Sequence, residues 1–145
     1  MEPKFYRCPI CGNVILKLSD SGVIPTCCGK PMEELIAKTN DLGMEKHVPL
    51  VTVIDDCTLK VNVGTEPHPM TGEHYIQWLY LENGDGGQFV KLEPEMRPFT
   101  VFCTCKRPPM AVYAYCNIHG LWKIEQKDFK SRKKCIIRKF FCKKH

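Results

Sequence analysis

The sequence predicts a mainly β protein, in which a small metal-bound module precedes an antiparallel β-sandwich. Four cysteines fall in two turns within the first 28 residues, a stretch too short to bury a large apolar core. From Pro49 to Glu125, short apolar or alternating segments are separated by turn residues, without helical periodicity. The first observation predicts the module, and the second predicts the sandwich.

The first module is predicted over residues 1–36. Its first turn, Cys8-Pro9-Ile10-Cys11-Gly12, is typical of a metal site, because glycine tolerates the left-handed backbone that such turns need. The second turn carries Cys27 and Cys28. Four thiolates from two loops suit a tetrahedral zinc or iron site, which would supply much of the module's folding free energy. Because adjacent ligands require a bent loop, we expect a distorted tetrahedron.

We place a domain boundary in the polar segment 33–40 and predict the sandwich over residues 37–125. Its seven predicted strands are 50–54, 58–63, 74–82, 88–92, 99–104, 111–115 and 121–125. In the third strand, period-two alternation predicts that Ile76, Trp78 and Tyr80 share one face. Loops at one end of a sandwich can hold an exposed site on a rigid scaffold.

Five potential metal ligands fall in such loops: His47, His68, His74, Cys116 and His119. For any one histidine alone, an ordinary loop or core position is the simpler interpretation. Together, four imidazoles and one thiolate exceed the four ligands of structural zinc and suit a larger coordination number. Since a thiolate donates electron density to iron, we predict a non-haem iron site. The four histidines would lie in a plane, with Cys116 axial and the sixth position open.

Three segments carry a family resemblance: Glu45-Lys46-His47-Val48-Pro49, the loop from His68 to His74, and Cys116-Asn117-Ile118-His119-Gly120. In this order they resemble the superoxide reductase (neelaredoxin) domain, over residues 38–125. Residues 1–36 resemble desulforedoxin at all four cysteines, and the two together resemble desulfoferrodoxins. The resemblance implies an immunoglobulin-like sandwich and an iron(II) centre that reduces superoxide to hydrogen peroxide.

The resemblance also implies roles and partners. Glu45 would occupy the vacant position of the resting ferric iron, and Lys46 would attract the substrate. Each chain would hold two irons, Fe(Cys)4 and Fe(His)4(Cys), with zinc as a substitute in the four-cysteine site. A homodimer through the first module is implied. We expect a small redox protein such as a rubredoxin to supply electrons, either directly or through the Fe(Cys)4 centre.

Composition bears on location and on the remaining cysteines. The chain has no run of 18 apolar residues and no apolar signal segment after Met1, so we expect no membrane span and a cytoplasmic location. In that reducing compartment, ten cysteines favour metal binding over disulfides. Cys57 is accordingly predicted to be a small apolar residue, and Cys103 and Cys105 to be strand residues without a metal.

The basic charge is a property of the C-terminal segment. Residues 126–145 hold nine Lys/Arg and one acid, a charge of +8, whereas the preceding 125 residues hold twelve against fifteen, a charge of −3. The overall +5 is therefore weak evidence for nucleic acid, and no nucleic-acid partner is expected. Disorder is predicted for 126–145, which includes Cys135 and Cys142, with a membrane-surface helix or an anionic partner as alternatives.

Two other functions fit parts of the sequence. A zinc-knuckle binding module could use the basic tail to bind nucleic acid, although its cysteine turns lack interleaved aromatic and basic residues. An iron electron-transfer protein would carry both metals without either meeting a substrate. The metals present would separate these alternatives from the enzyme.

Overall fold

The computed structural model describes residues 2–40, 47–105 and 107–131. The chain divides into two compact units, with the boundary between Ile36 and Ala37. Within the described residues, regular structure is β-strand apart from one 3-10 turn, Gln126–Asp128. No helix in these ranges has the length and apolar character needed to cross a membrane. The predicted mainly β fold is confirmed.

The first unit contains two small sheets. Its strands are β1 (Lys4–Arg7), β2 (Val14–Lys17), β3 (Thr26–Cys27), β4 (Lys30–Pro31) and β5 (Glu33–Glu34). Strand β1 lies between β2 and β5 and pairs antiparallel with both, and β3 pairs antiparallel with β4. The segment 33–40 was predicted to be only a polar link, but its first two residues pair with β1. Among the described residues, the buried cluster of this unit comprises Tyr6, Cys8 and Met32, so a bound metal would have to supply much of the unit's stability.

The second unit is a two-sheet sandwich. Its strands are β6 (Pro49–Asp55), β7 (Thr58–Val63), β8 (Ile76–Asn83), β9 (Gly86–Lys91), β10 (Phe99–Cys103), β11 (Pro109–Cys116), β12 (Gly120–Glu125) and β13 (Lys130–Ser131). One sheet has the order β10-β7-β6-β13 and the other β12-β11-β8-β9. All pairs are antiparallel except β13 with β6. The seven predicted strands are present, with shifted ends.

The core between the sheets depends on an irregularity in β8. Leu79 and Leu81 belong to the buried core cluster together with Val61 and Phe102. Ile76 also belongs to it, because the register of β8 against β11 shifts between Trp78 and Ile76. The prediction that Ile76, Trp78 and Tyr80 share one face is therefore wrong. A β-bulge of this kind changes the side-chain alternation, and period-two reasoning cannot detect it.

Order continues beyond the predicted end of the sandwich. Lys130 pairs with Thr52 and Ser131 with Val53, while Phe129 packs against the core cluster. The prediction of disorder is therefore wrong for residues 126–131, because one apolar side chain and two ladder positions hold this segment. Residues 132–145, including Cys135 and Cys142, lie outside the described ranges.

A disulfide joins Cys57 and Cys105. The pairing of β10 with β7 places Cys103 opposite Thr58, and the backbone N–H of Thr104 donates to the carbonyl of Cys57 at 2.8 Å. The prediction that Cys57 is a small apolar residue is wrong, and Cys105, predicted to be a strand residue, follows the end of β10 and forms the bridge. Both predictions rested on residue type and compartment, whereas the strand pairing brings these two cysteines together.

Phe129 provides a test of the added strand. Phe129→Ala should lower the free energy of unfolding of the sandwich by about 1–3 kcal/mol, because a partly buried ring that packs on the core is removed. Urea unfolding followed by tryptophan fluorescence reports this unit alone, since both tryptophans, Trp78 and Trp122, lie in it. The exposed control Gln126→Ala should change stability by less than about 0.5 kcal/mol. Equal effects of the two substitutions would contradict the packing role.

Candidate metal centres

Five side chains meet at one end of the sandwich. His47 precedes β6, His68 and His74 lie in the loop between β7 and β8, and Cys116 and His119 bracket the turn from β11 to β12. Pro49 pairs with Val63, and Cys116 pairs with both Ile76 and Gly120, so these strand ends lie together. One ligand atom from each of the five residues lies within 4.8 Å of every other.

The four imidazole rings form a square. Its sides are the centroid distances His47–His68 of 4.8 Å, His68–His74 of 4.7 Å, His74–His119 of 5.0 Å and His119–His47 of 4.6 Å. The diagonal from His47 to His74 is 6.5 Å, close to a side multiplied by the square root of two. Neighbouring rings are tilted by 64° to 83°, so they stand edge to face around a common centre.

Nitrogen positions show that this square fits a metal ion. Nε2 of His47 lies 3.0 Å from Nδ1 of His119, so two ring nitrogens face one another. Nδ1 of His68 contacts the carbonyl of Pro69 at 2.7 Å, which orients the ring and leaves Nε2 for another partner. That Nε2 is buried and has no hydrogen-bond partner among the described residues. A metal ion would satisfy it.

Burial and charge favour a neutral imidazole at His68, as a metal requires. Burial is the main cause that lowers the pKa of His68 to about 4, and the neighbouring His47, His74 and His119 act in the same direction. Metals bind deprotonated ligands. His68 is therefore ready to bind at neutral pH without losing a proton.

Cys116 supplies the thiol of this centre. It is fully buried, and its Sγ lies 3.7 Å from Nδ1 of His119. Burial raises the pKa of the Cys116 thiol, whereas the backbone N–H groups of His119 and Ile118 and the charge of Lys38 oppose that rise. The N–H of His119 lies 3.4 Å from this sulfur. These donors would stabilise the thiolate form that binds metal.

Two residues outside the ligand set support the loop. The ring of Trp122 stacks on His47 with a centroid distance of 4.7 Å. Lys38 Nζ donates to the carbonyl of His119 at 3.0 Å and lies 4.9 Å from the centre of the Trp122 ring. Sequence analysis placed Lys38 in the polar segment 33–40 and Trp122 in the predicted strand 121–125. The spacing of Trp122, three residues after His119, was the only available signal.

The two residues predicted to act on substrate, Glu45 and Lys46, lie outside the described residues. Their adjacency to His47 in the sequence is the observation that bears on them. Their roles remain predictions.

The first unit brings its four cysteines together. The Sγ of Cys11 lies 3.6 Å from that of Cys27, and the Sγ atoms of Cys27 and Cys28 are 4.0 Å apart. Tetrahedral coordination with metal–sulfur bonds of about 2.3 Å places sulfurs about 3.8 Å apart, so these distances fit one ion. Ligand atoms of Cys8, Cys11, Cys27 and Cys28 all lie within 4.8 Å of one another.

Backbone conformation explains how adjacent cysteines can both face one point. Cys28 has φ 53° and Gly29 has φ 72°, so two consecutive left-handed residues turn the chain sharply. Gly12 adopts φ 79° in the first turn, as the sequence predicted. The bend that adjacent ligands require is thus present in this loop.

The thiols of this cluster differ in pKa. The backbone N–H of Cys11, helped by that of Ile10, lowers the pKa of Cys8 to about 6. Hydrogen bonding to Cys11 and Cys8 raises the pKa of Cys28 to about 12. Four negative sulfurs at this separation repel one another, so a cation is needed for all four to be thiolates together.

The fold and the donor sets define a class: a β-sandwich protein with a four-histidine, one-cysteine centre, preceded by a four-cysteine module. Comparison with known proteins agrees. The family model Desulfoferrodoxin matches residues 39–125. A desulfoferrodoxin of Clostridium acetobutylicum is 41% identical over 79% of this chain and 89% of its own length. The chain belongs to the desulfoferrodoxin family.

Two further relatives carry an activity in their names. A superoxide reductase of Pyrococcus horikoshii is 38% identical over 61% of this chain and 91% of its own length. The crystal structure of the superoxide reductase from Treponema pallidum superposes with a TM-score of 0.74 at 29% identity, covering 86% of this chain and 98% of that one. The likeness to this structure extends over most of the chain.

Cys11→Ser tests whether the two centres are independent. The substitution should remove the metal of the four-cysteine site and destabilise residues 1–36, because that unit has little buried apolar surface. The five-ligand centre should keep its metal, since its ligands all follow residue 46. Metal analysis of natively expressed protein would show about one ion lost per chain. Loss of both metals together would contradict the independence of the two sites.

Proposed function

We propose that the protein is a superoxide reductase, which converts superoxide to hydrogen peroxide by one-electron reduction. The square of four imidazoles beside a buried thiol is the observation that carries this proposal. Family membership and the superoxide reductases among its relatives support it. The family suggests iron as the metal, since imidazoles with one thiolate suit that ion.

The iron would be held by His47, His68, His74, Cys116 and His119. When reduced, it would supply the electron and a site for a small anion. With five ligands from the protein, an iron that takes six ligands would keep room for one small anion. Three of the five ligand residues, His47, His68 and Cys116, are buried, His74 is partly buried and His119 is exposed. Bulk water therefore reaches the centre from a limited part of its surroundings.

The residues around Cys116 would hold its thiolate in an apolar environment. Ile76 and Val112 belong to the same buried cluster as this cysteine. The N–H of His119 points at the sulfur, and Lys38 holds the carbonyl of His119. This network would fix the distance and the electron donation of the thiolate. A Cys116 thiolate that donates more electron density to the iron would favour release of hydrogen peroxide over O–O cleavage.

We assign Glu45 and Lys46 to the open side of the centre. Glu45 would occupy the vacant position of the resting ferric iron, and Lys46 would attract the superoxide anion. Their place directly before His47 and the family resemblance of that segment support the assignment. A local lysine is needed because the first 125 residues carry a net charge of −3, which does not favour an anion.

The remaining assignments extend the same proposal. Each chain would bind two irons, the second at Cys8, Cys11, Cys27 and Cys28, where zinc could substitute. A small redox protein such as a rubredoxin would supply electrons, and two chains would associate through the first unit, in the cytoplasm. Exposed apolar residues in that unit, Leu18 at 92% and Val23 at 68%, support association.

Colour separates this proposal from an electron carrier or a zinc module. An oxidised four-histidine, one-cysteine iron centre should be blue and a ferric four-cysteine centre red to pink, whereas a zinc protein is colourless. An electron carrier would show both colours but would not consume superoxide. The proposal requires both the blue colour and superoxide-dependent formation of hydrogen peroxide.

Cys116→Ser should abolish the blue charge-transfer band and lower superoxide reductase activity at least about 10- to 100-fold, because the thiolate donor is lost. Tryptophan fluorescence would show that the sandwich is still folded. Cys103→Ser, which alters an exposed cysteine of the same unit, should keep the colour and the activity. A blue, fully active Cys116→Ser protein would show that Cys116 is not a ligand.

Lys46→Ile should slow the second-order reaction with superoxide several-fold and weaken its dependence on ionic strength. An exposed local charge is worth about 1 kcal/mol to the capture of an anion. Pulse radiolysis across a series of salt concentrations measures both effects. Lys127→Ile is the matched control: it removes the same charge from an exposed site that follows β12. If both variants behave alike, Lys46 has no special role in capture.

A further inference from the structure

Three cysteines outside both metal centres form a second reactive group. Cys57 follows β6, Cys103 ends β10, and Cys105 follows two residues later. The pairing of Pro49 with Val63 lies beside His47, whereas that of Cys103 with Thr58 lies at the opposite ends of these strands. With β6 spanning seven residues, the three cysteines are roughly 20 Å from the histidine square. They are not part of the proposed iron chemistry.

A free thiol stands next to the disulfide. Cys57 and Cys105 are joined, and the Sγ of Cys103 lies 3.6 Å from the Sγ of Cys105. Cys103 and Cys105 are both exposed, while the intervening Thr104 is buried. The two cysteines thus lie on one outward face of the chain. This arrangement places a nucleophile beside an accessible disulfide sulfur.

Cys105 can therefore form a disulfide either with Cys57 or with Cys103. Cys105 lies in the turn that follows β10, and its Sγ is 3.6 Å from the Sγ of Cys103, so the two sulfurs need only a small movement to bond. The Cα atoms of Cys57 and Cys105 are 4.4 Å apart, within the range of about 4.4–6.8 Å that disulfides span. Backbone contacts hold the group in place: Thr104 N–H donates to the Cys57 carbonyl, and Cys57 N–H donates to Asp55, both at 2.8 Å.

We propose that Cys57, Cys103 and Cys105 form a thiol–disulfide exchange site, whose external reactants are small thiols or the dithiol of a reducing protein. Cys103 is the attacking thiol, Cys105 is the sulfur shared by both disulfides, and Cys57 is the leaving thiol. The site adds a redox function to the sandwich, independent of the metals.

The exchange balances without an added oxidant. Cys103 loses a proton, and its thiolate forms a bond to Cys105 while the Cys57–Cys105 bond breaks. Cys57 leaves as a thiolate and takes up one proton, so the number of disulfides stays at one. An external thiolate that attacks Cys105 gives a mixed disulfide with the same leaving group. Cys103 then displaces the external thiol. Complete reduction to three thiols takes two electrons from a dithiol, which becomes a disulfide.

Alkylation of the full-length, metal-loaded protein tests this site. Samples treated with iodoacetamide at pH 8 for increasing times are quenched in acid, and labels and disulfides are mapped by peptide mass spectrometry. In the native protein, label should appear on Cys103 and also on Cys57. Molecules labelled at Cys57 should carry a Cys103–Cys105 bridge. In Cys103→Ser, labelling of Cys57 should fall at least about tenfold, because no internal nucleophile remains.

A second variant tests the site independently, in case the Cys103→Ser protein does not fold. Of the three cysteines in this group, Cys57→Ser leaves Cys103 and Cys105, which should form their own disulfide in oxidised glutathione. Label on Cys103 alone in the native protein would overturn the proposal, as would equal labelling of Cys57 with and without Cys103. It is also overturned if Cys103 and Cys105 stay unbridged in Cys57→Ser. A third metal ion per chain, lost in Cys57→Ser, would show a metal site instead.

Discussion

The structure of the second unit depends on the pairing of β8 with β11 where their register shifts. That shift turns Ile76 into the core opposite Cys116, and it buries the cysteine at the end of its strand. Cys116 thereby lies under the loops that carry the histidines, since β6, β7, β8 and β12 begin or end at the same edge. A buried thiol and a buried imidazole nitrogen are costly without a partner. A metal ion would satisfy both, so core packing and metal binding would stabilise the same arrangement.

The two units are stabilised in different ways. The sandwich has a continuous apolar core to which both sheets contribute; the four candidate histidine ligands lie on loops outside that core, whereas Cys116 ends β11 and belongs to it. The first unit has three buried residues in its cluster, one of them the ligand Cys8. Its fold and its metal site are therefore hard to separate, whereas the sandwich provides a scaffold for its centre. The first unit would therefore depend on a metal for its fold, whereas the sandwich would fold around its own core and position the metal ligands.

Sequence reasoning found what depends on residue type and spacing. Nine cysteines and histidines in short turns predicted the two candidate donor groups whose members the structure brings together, and apolar alternation located the seven main strands. It failed where the outcome depends on contacts between distant strands. The bulge at Ile76, the pairing of Lys130 with Thr52 and the disulfide of Cys57 with Cys105 are all of this kind. Their causes are register and packing, which no local pattern encodes. The same limit hid Lys38, whose contact with His119 spans 81 residues.

The central claim is that one iron ion binds the square of histidines together with Cys116. Diffraction data from the oxidised protein, collected on both sides of the iron absorption edge, test it most directly. The account predicts an anomalous iron peak at the centre of the square, within bonding distance of Nε2 of His68, Nδ1 of His119 and Sγ of Cys116. A peak that appears only at the zinc edge, or an iron bound without the Cys116 sulfur, would contradict it.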